Sequence, residues 1–363
     1  MDKKTILFYA PVGTGVPAHL LGGGEKGCRR TREILENAGY KVSTVDKANM
    51  SHGVMEYIKN AVKAYFTIHQ SLHENPETIL YVVGFYEKNL ILESMLIHMG
   101  KKSHKVIYEA RNGRLVKAYK EKGKLYRRLM DYVLKSADLI FAQGQEYVDF
   151  IRQRYNKTAV YTPNYVLNRS LKPYASNRPL DSIRLLYFGR ISESKNVDIV
   201  IKTAAELEKR GYNTITTLIG GYTEVYKEKL DLVVKKSGLN FEKVRFWGQQ
   251  PFEKISEELQ HTHFFVFPSQ EKMEGHSNSL TEAMTFGVVP IVSTAGFNAS
   301  IVGDNRFVVS EIKYSLFADI IDKILKEDLW EIYSKFVYNR IKENYTEDIV
   351  KTSILKSIRG LEV

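Results

Sequence analysis

The sequence predicts an α/β protein built as two halves, each a parallel sheet covered by helices. Three observations predict this. Short continuous apolar runs recur along the chain. Segments of helical period lie between most of them. The alternation pauses once, near the middle, at a stretch rich in proline and asparagine. A chain of 363 residues is long for one core, and two domains are expected.

The first run, "TILFYAP", follows a basic start and ends in Pro and Gly after about one strand length. It reads as a first buried strand and not as a signal peptide. "TILYVVG", "KVIYEAR" and "LIFAQGQ" follow, separated by helical patterns such as "CRRTREILENAG". "YTPNYVLNRSLKPYASNRPLDS", residues 161–182, carries three of the nine prolines and little helical period. A new series then begins: "LLYFGR", "TTLIGG", "KVRFWG", "FFVFPS" and "VVPIVS", with helical segments such as "VDIVIKTAAELEKRG" between them. The expected division is 1–165 and 166–344, two Rossmann-like domains. The last segment, from Trp330, reads as helical with no strand.

Apolar content of 44% is ordinary for a globular chain. Cys28 is the only cysteine, so no disulfide forms within the chain, and a reducing cytoplasm is the expected setting. No run of about 18 apolar residues is present, so no membrane span is expected. The formal net charge of +11 favours anionic partners such as phosphorylated ligands or anionic lipid. Nucleic acid is not expected, because neither an aromatic-and-basic strand motif nor a helix-turn-helix pattern appears. No Asp-x-Asp, Cys/His cluster, H-E-x-x-H or G-x-S-x-G occurs, which argues against a zinc enzyme or a serine hydrolase.

In parallel α/β sheets, ligands bind beyond the carboxyl ends of the strands. "LLYFGRISESKN" places Gly189, Arg190 and Lys195 there. Glycine lets the backbone approach a ligand, and an arginine fork with a mobile lysine suits a diphosphate. A solvated loop with two ordinary cations would show the same residues.

"FFVFPSQEKMEGHSNSLTEAM" holds two glutamates eight positions apart. Glu274 is expected on a loop, and Glu282 in the first turn of a helix starting near Ser277 to Ser279. Such a helix start offers unpaired N–H groups and a positive dipole end to a phosphate. A purely structural role for Glu282 would be a capping box with Ser279. Glu274 has no capping task.

After the first strand, "PVGTGVPAHLLGGGEKGCRR" contains a loose G-x-G-x-x-A match, Gly13 to Ala18, with Asp46 as the acid ending the second strand. The spacing is wrong for a dinucleotide site. Gly22, Gly23 and Gly24 instead predict a longer Gly-rich loop that closes over a ligand.

Together these residues resemble a retaining glycosyltransferase of family 4, of bacterial polysaccharide or glycolipid type, with the GT-B fold. The resemblance rests on the Gly-rich loop, "PN" at 163–164, "FGRISESKN" and the E-x7-E of Glu274 and Glu282. It implies two Rossmann-like domains with parallel sheets facing across a central cleft, and a final helix, about 345–363, packing back on the first domain. A nucleotide-sugar donor would sit on the second domain. Arg190 and Lys195 would take its diphosphate, Glu274 the transferred sugar and Glu282 the ribose. Gly189, Gly275, His276, Asn278, Ser279 and Leu280 would complete the donor site. Such enzymes often carry His, then Asp or Gly, after the strand that here reads "VIYEARN". Arg111 and Asn112 stand there instead, as the acceptor-side residues.

The implied reaction moves a sugar from a nucleoside-diphosphate sugar to a saccharide or lipid-linked acceptor with retention, without cofactor or metal. A hydrolase would need paired carboxylates about 5–10 Å apart, which the spacing also allows. A non-hydrolysing sugar-nucleotide epimerase and a non-catalytic nucleotide-binding protein fit the same residues. Residues 111–135, with nine basic and two acidic residues, predict a basic helical stripe through Lys117, Lys120, Lys124 and Arg128. Tyr119, Tyr126 and Tyr132 would lie at the headgroups of an anionic membrane. Peripheral attachment to the inner face of the cell membrane is therefore the expected location.

Overall fold

A computed structural model describes residues 4–17, 22–47, 53–84, 87–174, 178–270 and 272–362. The chain divides into two compact units. One comprises Met1–Asn164 with Val350–Val363, the other Tyr165–Ile349.

The first unit runs β1 (Thr5–Ala10), α1 (Gly23–Asn37), β2 (Lys41–Asp46), α2 (Val54–Glu74), β3 (Ile79–Gly84), α3 (Leu90–Gly100), β4 (Val106–Ala110), α4 (Leu115–Glu121), α5 (Lys124–Ser136), β5 (Leu139–Ala142), α6 (Gln145–Tyr155) and β6 (Val160–Tyr161). Its six strands pair in the order β2-β1-β3-β4-β5-β6, all parallel. β3 and β4 are buried along their whole length, as central strands covered on both faces must be.

The second unit runs β7 (Ile183–Phe188), α7 (Val197–Lys209), β8 (Thr214–Ile219), α8 (Glu224–Ser237), β9 (Val244–Gly248), α9 (Phe252–Leu259), β10 (Phe264–Phe267), α10 (Asn278–Thr285), β11 (Val289–Ser293), α11 (Asn298–Val302), β12 (Val308–Val309), α12 (Tyr314–Lys326) and α13 (Trp330–Asn344). Helix α14 (Glu347–Glu362) closes the chain. The order here is β12-β11-β10-β7-β8-β9, again parallel throughout. An aromatic layer of Tyr187, Phe188, Phe265 and Phe267 anchors the central pair β7 and β10, with centroids 5.2–6.4 Å apart. Burying each such ring contributes roughly 1.5–3 kcal/mol.

Three local expectations are corrected. Gly22 is the N-cap of α1, and Gly23 and Gly24 form its first turn. The glycine cluster is therefore a helix start and not a loop, since glycine tolerates a helix terminus where the backbone stays partly solvated. The stretch 111–135 is two helices, broken at the exposed, extended Gly123. Lys117 and Lys120 therefore lie on one helix and Lys124 and Arg128 on the next, so they share no single helical stripe, and Tyr119 is buried, donating to Asp131 at 2.9 Å. Glu282 lies in the second turn of α10, because Ser277 is the cap and its hydroxyl accepts the Leu280 N–H at 3.4 Å. The Ser279–Glu282 capping box does not form.

Candidate functional site

In the second sheet β7 and β10 are neighbours, yet their connections leave in opposite directions, β7 toward β8 and β10 toward β11. The strand order reverses at this pair, and the loops beyond their carboxyl ends separate. Such a switch point is where an open α/β sheet forms a crevice.

The loop after β7 begins at Gly189, whose φ of +140° is open to glycine and strained for other residues. Arg190 follows and is exposed; its carbonyl accepts the Tyr187 hydroxyl at 2.8 Å. A single 3-10 turn, Glu193–Lys195, then brings Lys195 back toward the sheet. Asn196, in the left-handed region at φ +50°, donates its side-chain amide to the Pro268 carbonyl at 3.0 Å. The N–H of Gln270 donates to the Ser194 carbonyl at 2.8 Å. The β7 and β10 loops are thus stitched together by main-chain and amide bonds.

Lys195 and Glu274 meet at this seam. The lysine Nζ contacts Glu274 Oε2, and both side chains are about nine-tenths buried. The ammonium also lies 5.6 Å from the centre of the Phe267 ring, a favourable cation–π placement. The Ser269 hydroxyl donates to the same carboxylate oxygen at 2.6 Å. Ser269 is fully buried, and its carbonyl accepts the Ser293 hydroxyl at 2.6 Å. Burial pushes the Tyr187 phenol well above its usual range, and the Glu274 charge adds to this; Tyr187 remains a neutral donor.

Beyond Glu274, Gly275 is half-buried, and the buried His276 sets its ring edge-on to Tyr345 at 5.2 Å. Asn278 and Ser279 open α10 half-exposed, while Leu280 is fully buried and fixes the helix on the core. The Ser277 and Ser279 hydroxyls lie 3.1 Å apart. Glu282 is half-buried on the second turn. Gly296 passes against this segment: with φ +56°, a Cβ there would overlap the Glu274 carbonyl oxygen. All the residues expected to hold a donor thus fall on two loops and the first two turns of one helix, in a single unit. Ser269, Ser293 and Gly296 join them. Ser269 was visible as the polar residue ending "FFVFPS"; Ser293 and Gly296 carry no local signal, being brought in by the fold.

In the first unit, Asp46 accepts the N–H groups of Val12 at 3.1 Å and Thr14 at 2.7 Å. Arg29 donates to the carbonyls of Val12, Gly13 and Val16 at 2.7–3.1 Å. The loop after β1 is thus braced from both sides; Ala18 lies outside the described residues. Arg111, at the carboxyl end of β4, is buried and paired with Glu109 at 2.6 Å. It donates to Thr31 at 3.1 Å and Asn164 at 3.4 Å, and a Cβ on Gly27 would overlap its guanidinium. Burial alone would lower the Arg111 pKa, but the Glu109 charge outweighs it and the group stays charged. Burial pushes the neighbouring Cys28 thiol up to about 12, which keeps it unreactive. Asn112, at φ +64°, donates its N–H to Gln143 at 3.2 Å, and its side chain caps the Arg114 N–H at 2.9 Å.

Among the described residues no group of three or more His, Cys, Asp and Glu is arranged to hold a metal ion, and no helix is long and apolar enough to cross a membrane.

Residues 169–343, a little under half of the chain, match the family described as glycosyl transferases group 1. An uncharacterized glycosyltransferase of Methanocaldococcus jannaschii is 29% identical over 175 residues, which is 46% of this chain and 42% of that protein. The chain therefore aligns with less than half the length of this relative. Among solved structures, sucrose-phosphate synthase from Thermosynechococcus elongatus gives a TM-score of 0.73 at 16% identity, over 99% of both chains. HepE of Anabaena, solved with UDP and glucose, gives 0.66 at 16% identity over 98% of this chain and all of that one. WaaG, described as a glycosyltransferase involved in lipopolysaccharide biosynthesis, gives 0.61 at 14% identity over 93% and 95%. These likenesses establish a shared fold, the two-domain α/β GT-B architecture.

Proposed function

We propose that the protein is a glycosyltransferase that moves a sugar from a nucleoside-diphosphate sugar to a saccharide or lipid-linked acceptor, with retention of configuration. The observation that carries this reading is the Lys195–Glu274–Ser269 contact at the β7/β10 switch point, beside the start of α10. The family match over 169–343 covers this segment, and the HepE structures with UDP and UDP-glucose make UDP-sugars the first donors to try.

Glycosyl transfer expels a nucleoside diphosphate while positive charge grows on the sugar. In this reading Arg190 and Lys195 meet the diphosphate, and the N–H groups at the start of α10 add a positive dipole end. Lys195 then turns from Glu274 to the phosphate. The freed carboxylate, still held by Ser269, orients a sugar hydroxyl and favours the cationic character of the transition state. Fixed charges of this kind are worth several kcal/mol of barrier. Glu282, one helical turn deeper, is assigned to the ribose. Arg111 and Asn112, bonded inside the first unit, are assigned as positioning residues for the acceptor side.

Protein cations and a helix start take the role that a divalent ion plays elsewhere, so the reaction is proposed to be metal-independent. Incubation with labelled nucleotide sugars should release nucleoside diphosphate slowly in water and faster with acceptor, and excess EDTA should not change the rate. Complete loss with EDTA, restored by Mg²⁺ or Mn²⁺, would refute metal independence. No release from any nucleotide sugar would refute the transferase.

A further inference from the structure

The helix layer of the first unit carries an apolar strip that none of the described residues covers. In α2, Ile58, Val62 and Phe66 recur every fourth residue and are exposed, Phe66 by 64%. The core side of the same helix holds Ala64, Ile68 and Leu72, so the strip is a second apolar face and not the edge of the first. In α3, Ile91 and Met95 lie one turn apart and are exposed by 60% and 48%. α2 and α3 pack side by side, because the β2–β3 and β3–β4 crossovers run across the sheet in the same direction and crossovers of one hand then lie on one face. A patch of this kind on a folded chain marks a docking surface.

Charge identifies the occupant. Lys59 and Lys63, exposed and one turn apart, run beside the α2 strip. α5 packs on the other side of α3, with His98 of α3 and Tyr132 of α5 joined at 2.9 Å, and it exposes Lys124, Arg128 and Lys135. Over Val54–Phe66, Leu90–His98 and Lys124–Lys135 no carboxylate is exposed. Glu93 is buried, and the half-buried Glu56 and Asp131 are hydrogen-bonded. A second copy docking through this face would set basic rim against basic rim.

We propose that this α2–α3 face, with the basic row of α5, docks on an anionic lipid bilayer, the apolar strip entering the headgroup boundary and the cations meeting lipid phosphates. This relocates the membrane contact from 111–135 as a whole to a surface centred on α2. It deepens the proposed function by setting a lipid-linked acceptor beside the protein, but its test reads binding without turnover.

The test is flotation of the full chain with vesicles of phosphatidylcholine alone or mixed with phosphatidylglycerol. Wild type should float with the mixed vesicles and not with the neutral ones. High salt should weaken the binding without abolishing it, since the inserted strip is not screened. Val62→Glu/Phe66→Glu should lose binding by roughly tenfold or more, as should Lys59→Glu/Lys63→Glu. Lys235→Glu/Lys236→Glu, the same charge change on α8, should float as wild type does. All substituted side chains are at the surface, so melting temperatures should be kept. Phe66→Trp should blue-shift its emission on the mixed vesicles. Absence of flotation, or equal flotation by Val62→Glu/Phe66→Glu, would overturn the proposal. So would a dimer in sedimentation that this double variant abolishes while wild type ignores vesicles, since the occupant would then be a second copy.

Discussion

Lys195 and Glu274 stand 79 positions apart in the chain and in direct contact in the fold, on adjacent loops of one sheet. The pair neutralises two charges that would be costly to bury singly, and Ser269 fixes the carboxylate from the other side.

Glu274→Gln should lower turnover by roughly a hundredfold, because the amide keeps the shape and the Ser269 bond but not the charge. Lys195 loses its counter-charge, so stability should also fall by about 1–3 kcal/mol. Initial rates and thermal melts check both. Turnover near that of wild type would remove Glu274 from the reaction.

Ser269→Ala and Gly296→Ala test the support of that carboxylate. Ser269→Ala should reduce kcat by about tenfold and leave KM for the donor little changed, since the hydroxyl is already engaged in holding Glu274. Gly296→Ala pushes a methyl against the Glu274 carbonyl and should cost more than about 1 kcal/mol of stability as well as activity. A Ser269→Ala enzyme with unchanged kcat would make the serine purely structural.

The strands of both units could be read from the sequence wherever they are central. Nine apolar runs correspond to β1, β3, β4, β5 and β7 to β11. The strands without such a run, β2, β6 and β12, are all sheet edges. β2 is half exposed and polar, and β6 and β12 have two residues each. An edge strand needs no continuous apolar run because one side meets solvent. The site was legible as loop positions after strand ends, which local composition marks. That Lys195 contacts Glu274, and that Ser293 and Gly296 press on the same loop, depends on β7 and β10 being neighbours. No local pattern records that pairing. The glycines at 22–24 misled for a related reason: composition signals loose backbone but does not say whether a helix starts within it.

His263 gives the second unit a pH-dependent stability. Its Nδ1 accepts the Arg184 N–H at 3.0 Å, which requires the unprotonated nitrogen. Burial, with Arg178 and Arg184 nearby, pushes its pKa from the ordinary 6.5 down to about 4. Between these values the unfolded chain binds the extra proton and the folded one does not. The contribution is therefore complete above pH 6.5 and is lost as pH falls toward 4, by about 3 kcal/mol at most. His263→Asn keeps an acceptor for Arg184 and cannot titrate. Its melting temperature should fall less steeply over that window than wild type; identical slopes would show that His263 does not govern it.

The central claim, that Arg190 and Lys195 hold a donor diphosphate, is tested most directly by calorimetry. The ligand is whichever of UDP, GDP, ADP and dTDP most raises the melting temperature, compared with its phosphate-free nucleoside. Arg190→Ala and Lys195→Ala should each weaken diphosphate binding by roughly tenfold to a hundredfold, as expected for charge-assisted bonds, while the nucleoside binds all forms alike. Equal diphosphate affinity in wild type and in the double variant would contradict the account.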